Sequence, residues 1–238
     1  MKIRISVEQQ NKEIFINSVI EKYHFDEAKE KELIGVYDQM LLGIGAYAAY
    51  RINTRVTGVK EIDNNQSAIV AMTLGAGVDR LQESYIRKEQ LEKSYMLECI
   101  ANELLLKMYK EFNKAYARFH RRYVMKYVFI GNDISLTDIP KLLEEIKGKK
   151  NGEDSNEIRA NEYGVLFPSK SVVFYAVLSE NPKAECEGIC AGCENTSCQN
   201  RYVEDNVDFD KKTKTEEIPN QTGINLNYGF QRILGKSV

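Results

Sequence analysis

The sequence predicts an α+β fold in which a small, mostly antiparallel, twisted sheet packs against long helices, with a cysteine-rich metal-binding element near the C-terminus. Three observations support this prediction. Apolar residues recur at steps of three or four over long stretches, which is typical of helices. Short runs of β-branched and aromatic residues lie between these stretches and indicate strands. Four cysteines fall within thirteen residues, close enough to share one metal centre.

In the N-terminal part of the chain, the spacing of the apolar residues changes several times between the strand period and the helix period. Residues 2–7 alternate between apolar and polar and predict a short strand. Residues 14–23 and 26–50 follow the helical period and predict two helices. Residues 51–62 alternate around a Thr-Gly pair and predict a strand, a turn and a second strand.

A long helical tract dominates the middle of the chain. Residues 78–119 follow the helical period, and a helix of this length is expected to bend or to break near residues 87–92. Residues 122–130 are β-branched and aromatic enough for a strand. A short helix is predicted over residues 139–146, and residues 162–178 predict two strand pieces separated at a Pro-Ser pair.

Two of these segments show which side chains are buried. Residues 67–74 predict a strand with Ile69 on one face and four apolar side chains on the other, namely Ala68, Val70, Met72 and Leu74. The long helical tract carries an apolar stripe made of Ile100, Leu104, Met108, Phe112, Ala115 and Phe119. Both segments are therefore expected to lie in the core.

The composition limits the class of protein. The formal net charge of the 238 residues is −2, which argues against nucleic acid as the main partner. The longest apolar stretch, over residues 40–50, is too short and too rich in glycine to span a bilayer, so no membrane partner is expected. The first residues are not followed by the apolar run of a signal peptide, and we expect a cytoplasmic protein. In that reducing compartment, clustered cysteines are metal ligands more often than disulfides.

The cysteine cluster sets the predicted domain limits. Residues 1–184 are expected to form the α+β domain, residues 185–202 the cysteine-rich metal-binding element, and residues 203–238 a polar linker and C-terminal tail. The last segment is highly charged over residues 204–220.

The four cysteines leave the kind of metal open. Cys186, Cys190, Cys193 and Cys198 have the spacing C-x3-C-x2-C-x4-C. Structural zinc favours two pairs separated by a dozen or more residues, whereas here the gap between pairs is two residues. A compact run suits an iron–sulfur cluster better, although the spacing is not that of bacterial ferredoxins. Iron–sulfur, zinc and a metal-free thiol cluster remain the three interpretations.

Glycine and basic residues give weaker signals. Gly43 and Gly45 imitate a dinucleotide-binding fingerprint but lie within a helical pattern and not after a strand. Gly75 and Gly77 join a strand to a helix, which allows either an anion site or a plain tight turn. The long helix ends in a basic cluster that would either satisfy its last carbonyls or form a carboxylate or phosphate site: Arg118, His120, Arg121 and Arg122.

Three segments together resemble a known family. They are residues 71–80 (AMTLGAGVDR), residues 101–103 (ANE) and residues 161–172 (NEYGVLFPSKSV). They are similar to the stand-alone relatives of the activation domain of vitamin B12-dependent methionine synthase. Some of those relatives end in C-x2-C-x4-C-x2-R, as Cys190, Cys193, Cys198 and Arg201 do here. The resemblance implies a fold like that activation domain.

The resemblance also implies a ligand and two residues that bind it. The family binds S-adenosylmethionine through R-x-x-x-G-Y, and the matching stretch here runs from Arg122 to Tyr127. Arg122 would pair with the carboxylate of the methionine moiety, and Tyr127 would lie beside the ligand. Lys126 stands where the family has glycine, and Met125 where it tends to have proline. Lysine adds bulk and charge at a position where glycine permits close backbone approach.

The function implied is that of an accessory component in a methyltransferase system for methionine biosynthesis. The chain would act in trans on a corrinoid-binding methionine synthase or methyltransferase, supporting S-adenosylmethionine-dependent reductive methylation of cob(II)alamin. Cobalamin would be present only through that partner, and an electron donor protein is a further expected partner. No side chain of this chain is expected to be catalytic. The alternative is a non-enzymatic docking or regulatory module with a structural zinc site and no S-adenosylmethionine.

Overall fold

A computed structural model describes residues 1–9, 11–131, 134–147 and 157–190 of the chain. All of these residues lie in one compact unit, Met1–Glu204. The helices and strands, in chain order, are β1 (Lys2–Arg4), α1 (Lys12–Tyr23), α2 (Glu30–Gly43), β2 (Tyr47–Ile52), α3 (Lys60–Asp63), β3 (Ser67–Thr73), α4 (Gly77–Arg87), α5 (Leu91–His120), β4 (Tyr123–Phe129), α6 (Ile139–Lys147), β5 (Arg159–Ala160), β6 (Leu166–Phe167) and β7 (Ser171–Ser179).

The main sheet has five strands in the order β1-β2-β3-β7-β4. Each of its neighbouring pairs is antiparallel, as is the separate two-stranded pair of β5 and β6. The predicted α+β class, with an antiparallel sheet and long helices, is therefore confirmed. β1 and β4 are the two edge strands, so the strand that carries the Arg-to-Tyr stretch lies at an edge of the sheet.

Helices cover both faces of the sheet. All seven residues of β3 are buried, and its side chains alternate between two cores. Ala68, Val70 and Met72 belong to the larger core, which they share with α1, α2, α4 and α5. Ile69 and Ala71 belong to a smaller core on the opposite face, formed mainly with α6. The alternation predicted for this strand is confirmed, and its burial on both faces follows from its central position.

The predicted break in the long helical tract is also confirmed. α4 ends at Arg87 and α5 begins at Leu91, with Glu89 between them in the left-handed region at φ 58°. Ile100, Leu104, Met108 and Phe112 are buried along α5, as the stripe predicts. The prediction is wrong for one member of the stripe, since Phe119 is 64% exposed. Tyr116 is buried in the last turns instead.

Two predicted segments differ from the structure. The helix predicted over residues 26–50 ends at Gly43, and residues 47–52 form β2. Gly43 ends the helix where its carbonyl meets the start of α4: a Cβ on Gly77 would lie 1.8 Å from the Gly43 carbonyl oxygen. This close approach of two backbones accounts for the glycines at both positions.

The second difference concerns residues 51–62, which do not form a strand, a turn and a second strand. After β2 the chain forms a loop that leads into α3. The Asp63 carboxylate accepts hydrogen bonds from the backbone N–H groups of Thr57 and Gly58, both at 2.8 Å. The same bonds lower the pKa of Asp63, with the Thr57 backbone as the largest cause. A local side-chain bond thus holds the loop where the alternation predicts a ladder.

No helix in the described ranges is both long enough and apolar enough to cross a bilayer.

Candidate functional site

The candidate site is the outer edge of β4, and a β-bulge shapes it. β4 pairs with β7 along its length, with a register shift between Val124 and Lys126. The extra residue allows Val124 and Tyr127 to face the same, larger core, although three positions separate them in sequence. Without the bulge, the strict alternation of a strand would point these two side chains to opposite faces.

Tyr127 is placed almost wholly inside that core. It is 7% exposed, and its ring lies 5.1 Å from Tyr109 and 5.3 Å from Phe174, measured between centroids. Cys186 and the Asn113 side chain are the polar neighbours that act on its hydroxyl, together with Tyr109. Burial is the largest cause that raises the pKa of Tyr127 far above its ordinary value, and the neighbouring Cys186 is the next largest. The phenol is therefore neutral over the physiological pH range and acts as a hydrogen-bond group, not as a base.

Arg122 is already paired with a carboxylate. Its guanidinium lies 2.5 Å from Glu180, the residue that directly follows β7. Arg122 is partly covered, whereas the Glu180 side chain is 78% exposed. The arginine also acts electrostatically on Tyr116, where it opposes the rise in pKa caused by burial. The position predicted to bind a carboxylate thus holds one from the protein itself.

Lys126 lies on the other side of the sheet from Tyr127. Its ammonium is 3.8 Å from Glu61 in α3 and 3.8 Å from Glu187 in the segment after β7. Tyr127, by contrast, packs against α5 in the larger core. The bulk and charge that replace the expected glycine therefore point away from the Tyr127 ring.

The cysteine-rich element is described only at its beginning. Cys186 and Cys190 lie in the described residues, whereas Cys193 and Cys198 lie outside them. Cys186 and Ile189 are partly buried against the larger core, and the Glu187 N–H donates to the Met125 carbonyl at 2.8 Å. The segment thus closes the free edge of β4 at the bulge.

The described residues do not support the metal prediction, which rests on the chemistry of the cysteines alone. Thiolates suit zinc and iron–sulfur centres. Within the described residues, no group of three or more histidine, cysteine or acidic side chains could hold a metal ion. The four-cysteine metal site therefore stays a prediction.

The segments that carry the sequence resemblance meet at a second cluster. Lys170, 8% exposed, forms an ion pair with Glu98 and donates to the Asn102 side-chain oxygen at 2.8 Å. The Ser169 N–H donates to Asp79 at 3.0 Å. Ser169 and Lys170 thus connect the start of β7 to α4 and α5 through these polar contacts. The sequence analysis did not predict a role for Glu98. The only indication in the sequence is a carboxylate beside the apolar stripe of a helix.

The basic cluster at the end of α5 divides between different roles. Arg121 ends the helix in the left-handed region, and its N–H donates to the Ala117 carbonyl at 2.9 Å. His120 Nε2 is 2.6 Å from the Tyr50 hydroxyl. Arg122 pairs with Glu180. The structure thus gives Arg121 a helix-ending role and gives His120 and Arg122 partners from the chain itself.

A known protein shares this architecture. The chain matches the crystal structure of the MetH reactivation domain bound to AdoHcy with a TM-score of 0.51 and 11% sequence identity. The match covers 79% of this chain and 80% of that chain. The chain has the fold of the MetH reactivation domain. At this identity the match concerns the fold alone, and it confirms the architecture that the sequence resemblance implied.

Comparisons by sequence give no further relative. No family model matches the chain. The search of curated proteins gives no match either. The relationship to the MetH reactivation domain is therefore carried by the arrangement of helices and strands.

Proposed function

We propose that this protein is a reactivation partner of a corrinoid-dependent methionine synthase or methyltransferase. It would act in trans and support the S-adenosylmethionine-dependent reductive methylation of cob(II)alamin. The observation that carries the proposal is the fold shared with the MetH reactivation domain, whose crystal structure contains AdoHcy. AdoHcy is what remains of S-adenosylmethionine after the methyl group has left.

In this proposal Arg122 and Tyr127 form the donor site on β4. Arg122 pairs with the carboxylate of the methionine moiety, and its ion pair with the Glu180 carboxylate supports this role. Tyr127 supplies a rigid aromatic wall held by Tyr109 and Phe174. Because Lys126 lies on the opposite face, its side chain does not stand between this wall and a ligand, but the ligand would have to displace the residues that bury Tyr127.

The protein's contribution is orientation, not acid–base chemistry. The methyl group leaves the sulfonium of S-adenosylmethionine for the cobalt of the partner, and a separate electron donor protein supplies the single electron. The difficult chemistry belongs to the corrinoid, and this chain binds, positions and excludes water. The neutral, buried phenol of Tyr127 fits such a role.

The cysteine-rich element, residues 185–202, completes the proposal. Cys186, Cys190, Cys193 and Cys198 would hold an iron–sulfur cluster or zinc. A cluster would pass or sense one electron, whereas zinc would fix the segment in place. We also propose that residues 1–184 form the domain that docks to the corrinoid partner and that residues 203–238 form a polar linker and tail.

Calorimetric titration with S-adenosylmethionine tests the donor site. The wild-type protein is expected to bind, and Arg122→Ala is expected to lose binding because the carboxylate loses its partner. Arg118→Ala is the control, since Arg118 is exposed in the same basic cluster. At a hundredfold excess over Kd, binding should stabilise the wild type by about 2.7 kcal/mol. Wild-type affinity in Arg122→Ala would show that the site lies elsewhere.

An assay with a corrinoid methyltransferase in its inactive cob(II) state tests the reaction. With S-adenosylmethionine and a one-electron reductant, added protein should restore the methylcobalamin spectrum, and Arg122→Ala should not. No recovery with a protein that binds S-adenosylmethionine would contradict the role in reactivation.

One observation favours a second candidate function, a docking or regulatory module without S-adenosylmethionine. Arg122 and Tyr127 are both engaged by the chain itself, by Glu180 and Cys186. In this case the cysteines would hold structural zinc, and the domain would only bind the corrinoid protein. A colourless protein with stoichiometric zinc and no heat of binding with S-adenosylmethionine would establish this module.

A further inference from the structure

The chain leaves β7 through a tight turn and returns along the edge of β4. The Asn181 N–H donates to the Ser179 hydroxyl at 3.0 Å, and the Asn181 side chain accepts from the Lys183 N–H at 3.0 Å. The Ala184 N–H donates to the Asn181 carbonyl, also at 3.0 Å. These short-range bonds reverse the chain direction, so residues 184–190 run back over β4.

Residues 180–190, here called the cover segment, contact β4 at four points, one of which is the ion pair of Glu187 with Lys126 at 3.8 Å. Glu180 pairs with Arg122 at 2.5 Å. The Glu187 N–H donates to the Met125 carbonyl at 2.8 Å. Cys186 lies beside the Tyr127 hydroxyl. The contacts therefore span the whole stretch from Arg122 to Tyr127.

We propose that the cover segment is a lid over the Arg122–Tyr127 site, and that Glu180 is its latch. The Glu180 carboxylate occupies the place on Arg122 that a ligand carboxylate would take. The lid must therefore release Arg122 before an amino acid or another carboxylate ligand binds there. The identity of that ligand as S-adenosylmethionine rests on the proposed function, whereas the latch rests on the contacts alone.

The contacts have the unequal strengths that a lid needs. The Glu180 side chain is largely exposed, and a pair of this kind is screened by water and exchanges readily for another carboxylate. Cys186 and Ile189 pack against the larger core and hold the far end of the segment more firmly. The Glu187 bond covers a free edge of the sheet, which would otherwise present unpaired backbone groups. Opening therefore begins at Glu180.

Hydrogen exchange by mass spectrometry tests the latch on the full-length protein without any ligand. Glu180→Gln removes the charge that Arg122 binds and keeps the shape of the side chain. The amides of residues 184–190, Glu187 among them, are expected to exchange about two- to fivefold faster than in the wild type. Glu185→Gln is the matched control, because Glu185 is exposed in the same segment, and it should exchange like the wild type.

Two results of the exchange experiment would overturn the latch. Exchange in Glu180→Gln that equals the wild type would overturn the latch, and so would equal acceleration in Glu185→Gln. A second variant, Tyr127→Phe, removes the hydroxyl beside Cys186. It is expected to accelerate hydrogen exchange in the same peptide. Unchanged exchange in both variants would show that other contacts hold the cover segment.

Calorimetry separates the lid from the proposed function. If S-adenosylmethionine is the ligand, Glu180→Gln should bind it several-fold more tightly than the wild type, because no internal carboxylate competes, and Glu185→Gln should not differ. Accelerated exchange without any binding of S-adenosylmethionine would confirm the latch and reject the proposed donor. Binding that Glu180→Gln does not strengthen would reject the competition between the two carboxylates.

Discussion

The hydroxyl of Tyr127 lies beside the thiol of Cys186, on the face of β4 that packs against α5. From the sequence, Tyr127 was predicted to bind a methyl donor and Cys186 was predicted to bind a metal, as two separate sites. The tertiary structure brings the beginning of the cysteine-rich element onto the strand that carries the donor residues.

The Lys170 cluster is expected to be a major source of stability. Lys170→Met should lower the free energy of unfolding by about 2 kcal/mol, because it leaves the partly buried Glu98 carboxylate without its cation. Chemical denaturation measures the change, with Lys183→Met as a control at an exposed position. Adding Glu98→Gln to Lys170→Met should recover part of the loss, since the two residues are coupled. Simple additivity of the two losses would contradict a direct pairing.

Two glycines on the helices should respond to alanine in opposite directions. Gly77→Ala is expected to destabilise the fold by several kcal/mol, on the order of the cost of overpacking a core, because its Cβ would collide with the Gly43 backbone. Gly35→Ala in α2 meets no atom within 4 Å and should stabilise by roughly 0.5–1 kcal/mol. Thermal unfolding of both variants gives the comparison. Similar melting temperatures for the two would show that α2 and α4 do not approach this closely.

Removing the Tyr116 hydroxyl should stabilise the protein. This buried oxygen has no hydrogen-bond partner in the part of the chain that the structure describes. Tyr116→Phe is expected to raise the free energy of unfolding by about 1 kcal/mol at neutral pH, since an unpaired buried hydroxyl is costly. Tyr50→Phe is the matched control: its hydroxyl contacts His120 at 2.6 Å, so its loss should lower stability by about 1 kcal/mol.

The same tyrosine predicts a dependence on alkaline pH. Burial raises the pKa of Tyr116 to about 12, with a smaller contribution from Tyr50. In the unfolded chain a tyrosine ionises near about pH 10, so the unfolded state loses its proton first and stability falls as pH rises from about 10 to about 12. Tyr175, whose pKa burial also raises to about 12, adds to the fall. Tyr116→Phe should show a shallower decline than the wild type in denaturation at pH 9 to about 12; parallel curves would mean that Tyr116 does not titrate.

The predicted metal centre gives an expected result for anaerobically purified protein. Iron with acid-labile sulfide and a brown colour would indicate a cluster, and colourless protein with zinc would indicate a structural site. Cys193→Ser should lose the metal in either case. Cys99→Ser is the control, since Cys99 is buried within α5 and burial raises the pKa of its thiol. Full metal content in Cys193→Ser would exclude the four-cysteine site.

Local patterns in the sequence were sufficient for the buried faces and for most elements. The alternation in β3 and the stripe on α5 follow from burial, which leaves a periodic trace along the chain. They failed at residues 47–52, where Tyr47 and Tyr50 stand three positions apart as on a helix face, whereas β2 is buried on both faces and places them in different cores. The helix ends at Gly43, where its backbone closely approaches Gly77 at the start of α4, and this approach is visible only in the tertiary structure.

By itself, the sequence determined the α+β class, the main apolar faces, the break before α5 and the residue types available for a site. The tertiary structure decided what those residues contact: Glu180 on Arg122, Cys186 on Tyr127, and Lys126 on the opposite face of the sheet. The physical reason is that periodicity reports burial within one segment, whereas these contacts depend on the strand order, on a bulge at Met125 and on a chain reversal after β7. None of the three has a periodic signature in the chain.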